Sequence, residues 1–343
     1  MNPPGRLRIF RACRIALDIA PGFAEHPPAM KTVSCSILCA LVTVLAWGAE
    51  LPATKGTAPA PAERTAAQGK EPALVARAPV AGQPFDDREV DLYIESEGRK
   101  LLAAGRIKKL TLDRRTCALR LAEPAVESLA WPEVAARAEA ATLVLGEFFR
   151  DGKSKETQFS VAAGAFVIGE GGVCVTSRHV AKDRGSRGFV AMTRDGRIFP
   201  VREVLAADPV NDVMLFQLDL PPDVKLPALP LAPAPAPVGS PIAVMSHPDD
   251  RFYMLTAGTV ARHTVWRTAD GDEAFMTITA DFAKGSSGCP VLDERGAVVG
   301  VVNNTESIYY DDDGKKKQLD LQMVIKNTTP GWVVRKLITA PPE

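Results

Sequence analysis

Residues 285–290 have the sequence Gly-Ser-Ser-Gly-Cys-Pro, a short stretch with two glycines around a pair of serines. Glycine adopts positive-φ backbone conformations that other residues avoid, so Gly285 and Gly288 predict a tight turn that presents Ser287. Apolar runs typical of strands flank the turn, Phe275–Thr279 before it and Ala297–Val302 after it. The stretch therefore predicts a serine on a loop between two strands of a β-protein.

Two further motifs precede this serine, in the order His, Asp, Ser. Val175–Val180 reads Val-Thr-Ser-Arg-His-Val at the end of an apolar strand, and Asp208–Leu215 runs from Asp-Pro-Val-Asn-Asp into another. His179 lies 33 residues before Asp212, which lies 75 residues before Ser287. Each motif alone is common in structural loops, but their order, spacing and strand context make them specific together.

In these motifs the chain resembles the trypsin-like serine proteases, and most closely their high-temperature-requirement (HtrA-type) branch. The residues that carry the resemblance are T-x-x-H-V around His179, D-P-x-x-D before an apolar run, and G-x-S-G-x-P around Ser287. The resemblance covers roughly residues 135–338. It implies an all-β fold of two perpendicular six-stranded antiparallel β-barrels, with the active site in the cleft between them.

The resemblance also implies roles for these residues. His179, Asp212 and Ser287 are expected to form a catalytic triad, because a serine hydroxyl needs a base during attack and a carboxylate fixes the imidazole tautomer. The backbone N–H groups of Gly285 and Ser287 are expected to form the oxyanion hole. HtrA-type proteases usually carry a PDZ domain after the protease, whereas five residues follow Ile338 here, so the expectation is a protease without one.

Cys289 departs from the family pattern, which has a second glycine at this position. A side chain there is expected to crowd the strand leaving the site, and a positive φ would cost about 1 kcal/mol. A small buried residue is the favoured interpretation. Pairing of Cys289 with Cys174 in a disulfide is left open, because it depends on geometry.

The expected substrate pocket consists of Asp281, Asn303, Asn304 and Thr305. Asp281 lies six residues before Ser287, where trypsins carry the carboxylate that favours Arg or Lys in the substrate. HtrA-type proteases have a structural Asp two residues further upstream and prefer small apolar residues, so both preferences stay open. His247 and His263 have no partner motif and are expected to be structural.

The apolar pattern divides the chain into four parts. Residues 132–343 predict the protease domain, with a hairpin turn at Asp195-Gly196, a Pro-rich connector at 226–238 and one short C-terminal helix from the N-cap Thr329 to Ile338. Residues 86–131 predict a small β-rich appendage, because Val90, Leu92 and Ile94 alternate with polar residues. Residues 49–85, rich in Ala and Pro, predict a disordered linker.

Residues 1–48 predict a leader. The chain from Met30 follows the layout of a secretory signal peptide: a Lys, then an apolar core, then Ala46-Trp47-Gly48 as a cleavage site. A basic segment precedes Met30, so either Met1 or Met30 is the true start. Export to the periplasm or the outside is therefore expected, by a cleaved leader or with an uncleaved leader as membrane anchor.

Composition limits the classes of partner and cofactor that the sequence predicts. Lys and Arg together number 41, as do Asp and Glu, so no net charge favours a nucleic acid or an anionic membrane as partner. No C-x-x-C pair occurs, and neither a metal nor another cofactor is expected. The sequence thus predicts an extracytoplasmic serine endopeptidase acting on proteins or peptides. The alternatives are a catalytically silent binding module on the same fold and, less favoured, an esterase.

Overall fold

The computed structural model describes residues 74–341 except 151, 153–155, 182–184 and 313–317. The predicted leader, residues 1–48, and most of the predicted linker, 49–85, lie outside the described residues. No helix among the residues that are described is both long and apolar enough to cross a membrane.

The first barrel is a closed sheet of six antiparallel strands in the order β2-β3-β4-β7-β6-β5. Its strands are β2 Thr142–Phe149, β3 Gln158–Gly169, β4 Val173–Ser177, β5 Ser186–Met192, β6 Ile198–Asp208 and β7 Val213–Leu218. Alternate residues of β2 face opposite sides: Leu143 and Leu145 fill the interior, while Val144 and Phe148 pack on the outer face. The predicted turn at Asp195-Gly196 joins β5 to β6, with Gly196 at φ +79°.

The second barrel is also a closed antiparallel sheet of six strands, in the order β10-β13-β12-β11-β8-β9. Its strands are β8 Pro241–Ser246, β9 Met254–Thr268, β10 Gly271–Ile278, β11 Pro290–Leu292, β12 Val298–Asp312 and β13 Gln318–Pro330. The prediction of an all-β fold built from two six-stranded antiparallel barrels is confirmed.

The two barrels share a hydrophobic cluster that lies between them. It joins Phe166 and Leu215 of the first barrel to Met245 and Leu292 of the second, all buried. The connector from β7 to β8 contributes Leu229 and Leu231 to this cluster, which confirms its predicted course between the barrels. Because each barrel closes one side of this shared core, the cleft between them is held in a fixed geometry.

The prediction of a β-rich appendage at 86–131 was wrong in its secondary structure. Residues Asp87–Ala103 form a 17-residue helix, α1, and the segment's strand is β1, Cys117–Ala118, paired with β14, Ile338–Thr339. Val90, Ile94 and Gly98, spaced four apart, form the buried face of α1. They lie against the outer face of the first barrel, and this four-residue spacing outweighs the two-residue alternation that predicted a strand.

Two further helices lie at the barrel junction. Helix α2, Trp131–Ala141, was not predicted; Pro132 in its first turn and its alanines are the signals that indicate it. The predicted C-terminal helix is present as α3, Gly331–Lys336. Its N-cap is Pro330 and not Thr329, whose hydroxyl donates instead to the Asn211 carbonyl at 2.8 Å.

Candidate active site

His179 lies at the point where a buried strand of the first barrel ends. Strand β4 is buried throughout, and the chain then makes one 3₁₀ turn, Arg178–Ala181, that carries the imidazole to the edge of the inter-barrel cleft. The base of this turn is fixed from the second barrel, because the Ser177 hydroxyl donates to the Val302 carbonyl at 2.8 Å. The side chain of His179 is 32% exposed, so solvent can reach it.

Asp212 occupies a left-handed backbone conformation, with φ +55°. Such a conformation costs a non-glycine residue about 1 kcal/mol or more and persists only where the surroundings enforce it. Here the Asp208 carboxylate accepts the N–H groups of Val210 and Asn211 at 2.8 and 3.1 Å and so builds the turn that precedes Asp212. The turn directs the Asp212 carboxylate at His179.

The Asp212 carboxylate binds His179 twice. Oδ1 accepts the backbone N–H of His179 at 2.7 Å, and Oδ2 lies 2.5 Å from Nδ1. Because a carboxylate accepts hydrogen bonds, Nδ1 carries the proton and Nε2 presents its lone pair. The carboxylate thereby fixes both the position and the tautomer of the ring.

Ser287 completes a contiguous row of three side chains. Its Oγ lies 2.9 Å from His179 Nε2, so the structure brings together all three residues predicted from the sequence. The Ser287 carbonyl accepts the N–H of Gly164, on the first barrel, at 2.9 Å, which ties the turn to the far side of the cleft. Gly288 has φ +84°, and a Cβ there would collide with backbone and side-chain atoms of the first barrel, so this approach requires glycine.

The backbone N–H groups of Gly285 and Ser287 belong to the same turn as the Ser287 hydroxyl. Among the described residues neither N–H donates to a backbone or side-chain acceptor. The Lys284 carbonyl accepts the N–H of Asp249 at 2.6 Å, so the peptide plane between Lys284 and Gly285 is fixed. Two unpaired donors beside a serine hydroxyl form an arrangement able to bind an oxygen that gains negative charge.

The residues expected to form the substrate pocket differ in their surroundings. Asp281 is 84% exposed, and its carboxylate lies 3.3 Å from Nζ of Lys326, whose side chain is 13% exposed. The Asp281 carboxylate is thus exposed to solvent and paired with a lysine of β13. Thr305 is exposed, whereas Asn303 is buried and donates to the Thr329 hydroxyl at 3.0 Å. Asn304 donates to Asn303 and extends the same chain of hydrogen bonds.

Cys289 is accommodated without the strain that the sequence suggested. It is fully buried in the second barrel, its φ is not positive, and its Sγ lies over Gly164, where any Cβ would clash with it. Cys174 is a free thiol in the core of the first barrel, and Cys289 is also free, so the disulfide left open by the sequence is not formed. Burial raises the pKa of both thiols, which keeps them protonated.

His247 is fully buried beside the active-site turn. The backbone N–H of Tyr253 donates to its Nδ1 at 3.0 Å, so the ring proton lies on Nε2, which faces the Leu143 carbonyl at 3.2 Å. Burial lowers the pKa of His247 from 6.5 to about 4, so the ring is neutral at physiological pH. His263 bonds the Ala236 carbonyl at 2.8 Å. Both contacts are of the structural kind that the sequence predicted.

Several residues that hold the site in place were not predicted, and of these Asn211 alone stands in a sequence motif. Asn211 accepts the N–H of Ala274 at 2.9 Å and so joins the Asp212 loop to β10 of the second barrel. In the segment before Ser287, Lys326 pairs with Asp281 and donates to the Phe282 carbonyl, and Asp249 donates its backbone N–H to the Lys284 carbonyl. The Asx-turn sequence Asp208-Pro209-Val210-Asn211 is the one local signal that indicates such a role. In the described part of the chain, no group of three His, Cys, Asp or Glu residues is arranged to hold a metal ion.

The region that contains this site is similar to known proteins. The family model for a trypsin-like peptidase domain matches residues 162–301, a range that contains His179, Asp212 and Ser287. Over 148 residues the chain is 28% identical to the uncharacterized protein y4bJ of Sinorhizobium fredii, covering 42% of this chain and 22% of that protein. Over 154 residues it is 28% identical to the putative serine protease HhoA of Synechocystis sp., covering 43% of this chain and 38% of that protein.

A solved structure is also similar. The HtrA-type protease AlgWS227A with a decapeptide superposes with a TM-score of 0.48 at 17% identity, covering 61% of this chain and 65% of that one. The chain spans less than half the length of each of the two relatives, y4bJ and HhoA.

Proposed function

We propose that this chain is a serine endopeptidase that hydrolyses proteins or peptides through an acyl-enzyme, a proposal supported by the match of residues 162–301 to the family model for a trypsin-like peptidase domain. The observation that carries the proposal is the His179 ring, whose nitrogens lie 2.5 Å from Asp212 Oδ2 and 2.9 Å from Ser287 Oγ. This geometry supports a general base that is already oriented toward a nucleophile.

In the proposed acylation step, Ser287 Oγ attacks the carbonyl carbon of the scissile peptide bond. His179 Nε2 accepts the hydroxyl proton as the new C–O bond forms, and the Nδ1–H bond to Asp212 stabilises the resulting imidazolium. The substrate oxygen gains negative charge and accepts hydrogen bonds from the N–H groups of Gly285 and Ser287. His179 then gives its proton to the leaving nitrogen, the C–N bond breaks, and the acyl group stays on Ser287.

In the proposed deacylation step, water takes the place of the leaving amine. The water oxygen attacks the acyl carbon while His179 Nε2 accepts a proton from the water. The N–H groups of Gly285 and Ser287 again bind the oxyanion. Collapse of the second tetrahedral intermediate returns the proton to Ser287 Oγ and releases the carboxylic acid. No metal or organic cofactor takes part in either step.

Covalent labelling with a fluorophosphonate tests the proposal. We expect purified protein spanning residues 74–343 to be labelled, and Ser287→Ala and His179→Ala to lose labelling by about 10⁴-fold or more, because the nucleophile or its base is removed. Ser286→Ala is the matched control, since the Ser286 hydroxyl is buried and has no hydrogen-bond partner among the described residues. This variant should be labelled at the parent rate.

Other outcomes would identify the alternatives. A folded parent protein that is never labelled would contradict the proposal and favour the catalytically silent binding module. Hydrolysis of small esters without any cleavage of proteins or peptides would favour the esterase. Loss of labelling in Ser286→Ala to the same extent as in Ser287→Ala would show that the turn, and not the Ser287 hydroxyl, is the sensitive feature.

We further propose that the enzyme acts outside the cytoplasm, a proposal supported by the signal-like layout of residues 30–49. If the full chain is expressed in a bacterium, mass spectrometry of its N-terminus should show cleavage between Gly48 and Ala49 in the exported fraction. An intact N-terminus in the membrane fraction would indicate an uncleaved anchor. An intact N-terminus in the cytosolic fraction would contradict export.

A further inference from the structure

The peptide unit between Lys284 and Gly285 is held by a loop of the second barrel. The Lys284 carbonyl accepts the N–H of Asp249 at 2.6 Å. Because the C=O and N–H of a trans peptide unit point in opposite directions, this bond turns the Gly285 N–H away from Asp249. Gly285 has φ +92°, and a Cβ on it would lie only 2.6 Å from the His247 carbonyl, so the peptide is packed tightly against the same loop.

This loop, residues 247–253, is itself held in an unfavourable backbone conformation. Asp249, Asp250 and Tyr253 have φ of +51°, +59° and +59°, although none of them is glycine. Such conformations persist only where surrounding contacts determine them, and they occur frequently near functional sites. The contacts that hold the 247–253 loop therefore also decide where the Gly285 N–H points.

Those contacts come in large part from the N-terminal arm, residues 74–104, which precedes the first barrel. The carboxylate of Asp87, in the first turn of α1, accepts the backbone N–H of Phe252 at 3.0 Å. The Phe252 ring is buried in the cluster that contains Val90 and Ile94 of the same helix. One side of the 247–253 loop thus contacts α1, and the other contacts the peptide before Gly285.

A second contact from the arm reaches the same loop. The ring of Phe85 packs edge-to-face on Tyr253, with centroids 6.5 Å apart. Arg194 of the β5–β6 turn lies over both rings, 4.9 Å from Phe85 and 5.4 Å from Tyr253, and donates to Glu139 of α2 at 2.5 Å. The end of the loop is therefore enclosed by the arm, the first barrel and α2 together.

From this series of contacts we infer that Asp87 is a positioning residue for the oxyanion site. Its carboxylate holds the Phe252 N–H, the 247–253 loop keeps its strained conformation, and Asp249 orients the peptide whose N–H belongs to Gly285. The inference rests on the proposed function only in assigning the Gly285 N–H to an oxyanion. The link from Asp87 to that peptide can be measured without any activity.

Amide hydrogen exchange tests this link directly. In Asp87→Ala, exchange is expected to rise about 10-fold or more in peptides covering 247–253 and also 282–288, because local opening of the loop releases both. Asp87→Asn keeps an oxygen acceptor for the Phe252 N–H and should restore near-parental exchange. Glu97→Ala, which removes a carboxylate paired with Lys100 on the exposed side of α1, is the matched control and should change neither peptide.

The kinetic readout distinguishes positioning from a merely structural role. For Asp87→Ala we expect a fluorophosphonate labelling rate and kcat lowered about 10-fold, with KM nearly unchanged, because one misdirected oxyanion donor lowers transition-state binding. Asp87→Asn and Glu97→Ala should stay close to the parent protein. Equal losses in Asp87→Asn and Asp87→Ala, or faster exchange confined to 247–253, would overturn the inference.

Two further outcomes are decided by the same set of measurements. If Asp87→Ala does not fold, Asp87→Glu, which keeps the charge but displaces the acceptor, replaces it with the same expected results. If the folded parent protein is not labelled at all, the proposed peptidase function fails. Even then, the exchange of 282–288 in the Asp87 variants still supports or overturns the positioning role.

Discussion

At the residue scale, His247 shows how burial fixes a protonation state. Its Nδ1 already accepts the Tyr253 N–H, so a second proton on the ring would place two donors against each other. The ring also lies in an apolar interior next to Phe252, at a centroid distance of 5.9 Å. Burial in this interior is the main cause that lowers the pKa of His247 to about 4.

A pH-dependent stability follows from this lowered pKa. The unfolded histidine titrates near 6.5 and the folded one near 4, so the unfolded state binds more protons between these values. The contribution of His247 to the free energy of unfolding is fully present above pH 6.5 and is lost as the pH falls toward 4. The difference between the pKa of His247 in the unfolded and folded states corresponds to about 3 kcal/mol of unfolding free energy. Unfolding by urea from pH 7 to pH 4.5 should show the loss in the parent protein.

His247→Gln tests this assignment, because glutamine keeps a donor near the Leu143 carbonyl but does not titrate. The variant should be less stable than the parent at pH 7 and should lose less of its unfolding free energy on acidification. His263→Gln, in the same barrel, is the control and should keep the parental pH dependence. A parental slope in His247→Gln would show that another group causes the acid sensitivity.

Single residues also mark what a sequence can and cannot predict at this site. His179, Asp212 and Ser287 were predicted because each stands in a motif whose neighbours have recognisable types. Asp87 and Asp249 were not, because each acts through one hydrogen bond to a residue distant in the chain, and no local pattern encodes such a contact. The exposed Asp281 is likewise paired with Lys326, which lies 45 residues further on in the sequence.

At the scale of secondary-structure elements, α1 shows why the apolar pattern was ambiguous. Val90, Leu92 and Ile94 share one face if the segment is a strand, whereas in a helix Val90 and Ile94 lie together and Leu92 is displaced. The capping signal that resolves the ambiguity is Asp86 followed by Glu89, and the Asp86 carboxylate does accept the Arg88 N–H at 3.0 Å. Gly98 then lets the helix lie close to Phe148 of β2.

Truncation of α1 residues should separate these two arrangements. Ile94 is fully buried, so Ile94→Ala should destabilise the protein by about 3 kcal/mol through lost burial and the cavity left behind. Leu92 is 38% exposed, and Leu92→Ala should cost less than about 1 kcal/mol. Thermal unfolding of the two variants beside the parent measures the difference. Equal destabilisation would contradict the helical arrangement.

At the scale of the whole molecule, the two barrels are joined by more than the connector. The cluster that contains Phe166, Leu215, Met245 and Leu292 is continuous across the junction, and Asn211 adds a polar link from the Asp212 loop to β10. His179 and Asp212 belong to one barrel and Ser287 to the other. The distances within the site therefore depend on how the barrels pack.

The barrels were predictable, because many short strands with turn signals and three motifs in order point to one architecture. The helices α1 and α2 and the arm's contact with the 247–253 loop were not. These helices and this contact depend on which outer faces of the first barrel remain uncovered. The pattern of apolar residues along the sequence does not show which faces those are. The sequence thus predicted the two barrels and the proximity of His179, Asp212 and Ser287, and the structure adds the contacts that hold these residues in place.

The contact between Gly164 and Cys289 has a consequence for recombination between related proteins. Gly164 belongs to the first barrel and Cys289 to the second, and the thiol occupies the space that a side chain at 164 would need. A chimera that took its first barrel from a parent with alanine at 164 would collide with this cysteine, and one that took a glycine at 289 would leave a gap. The two positions therefore have to be exchanged together, as a matched pair that spans the junction.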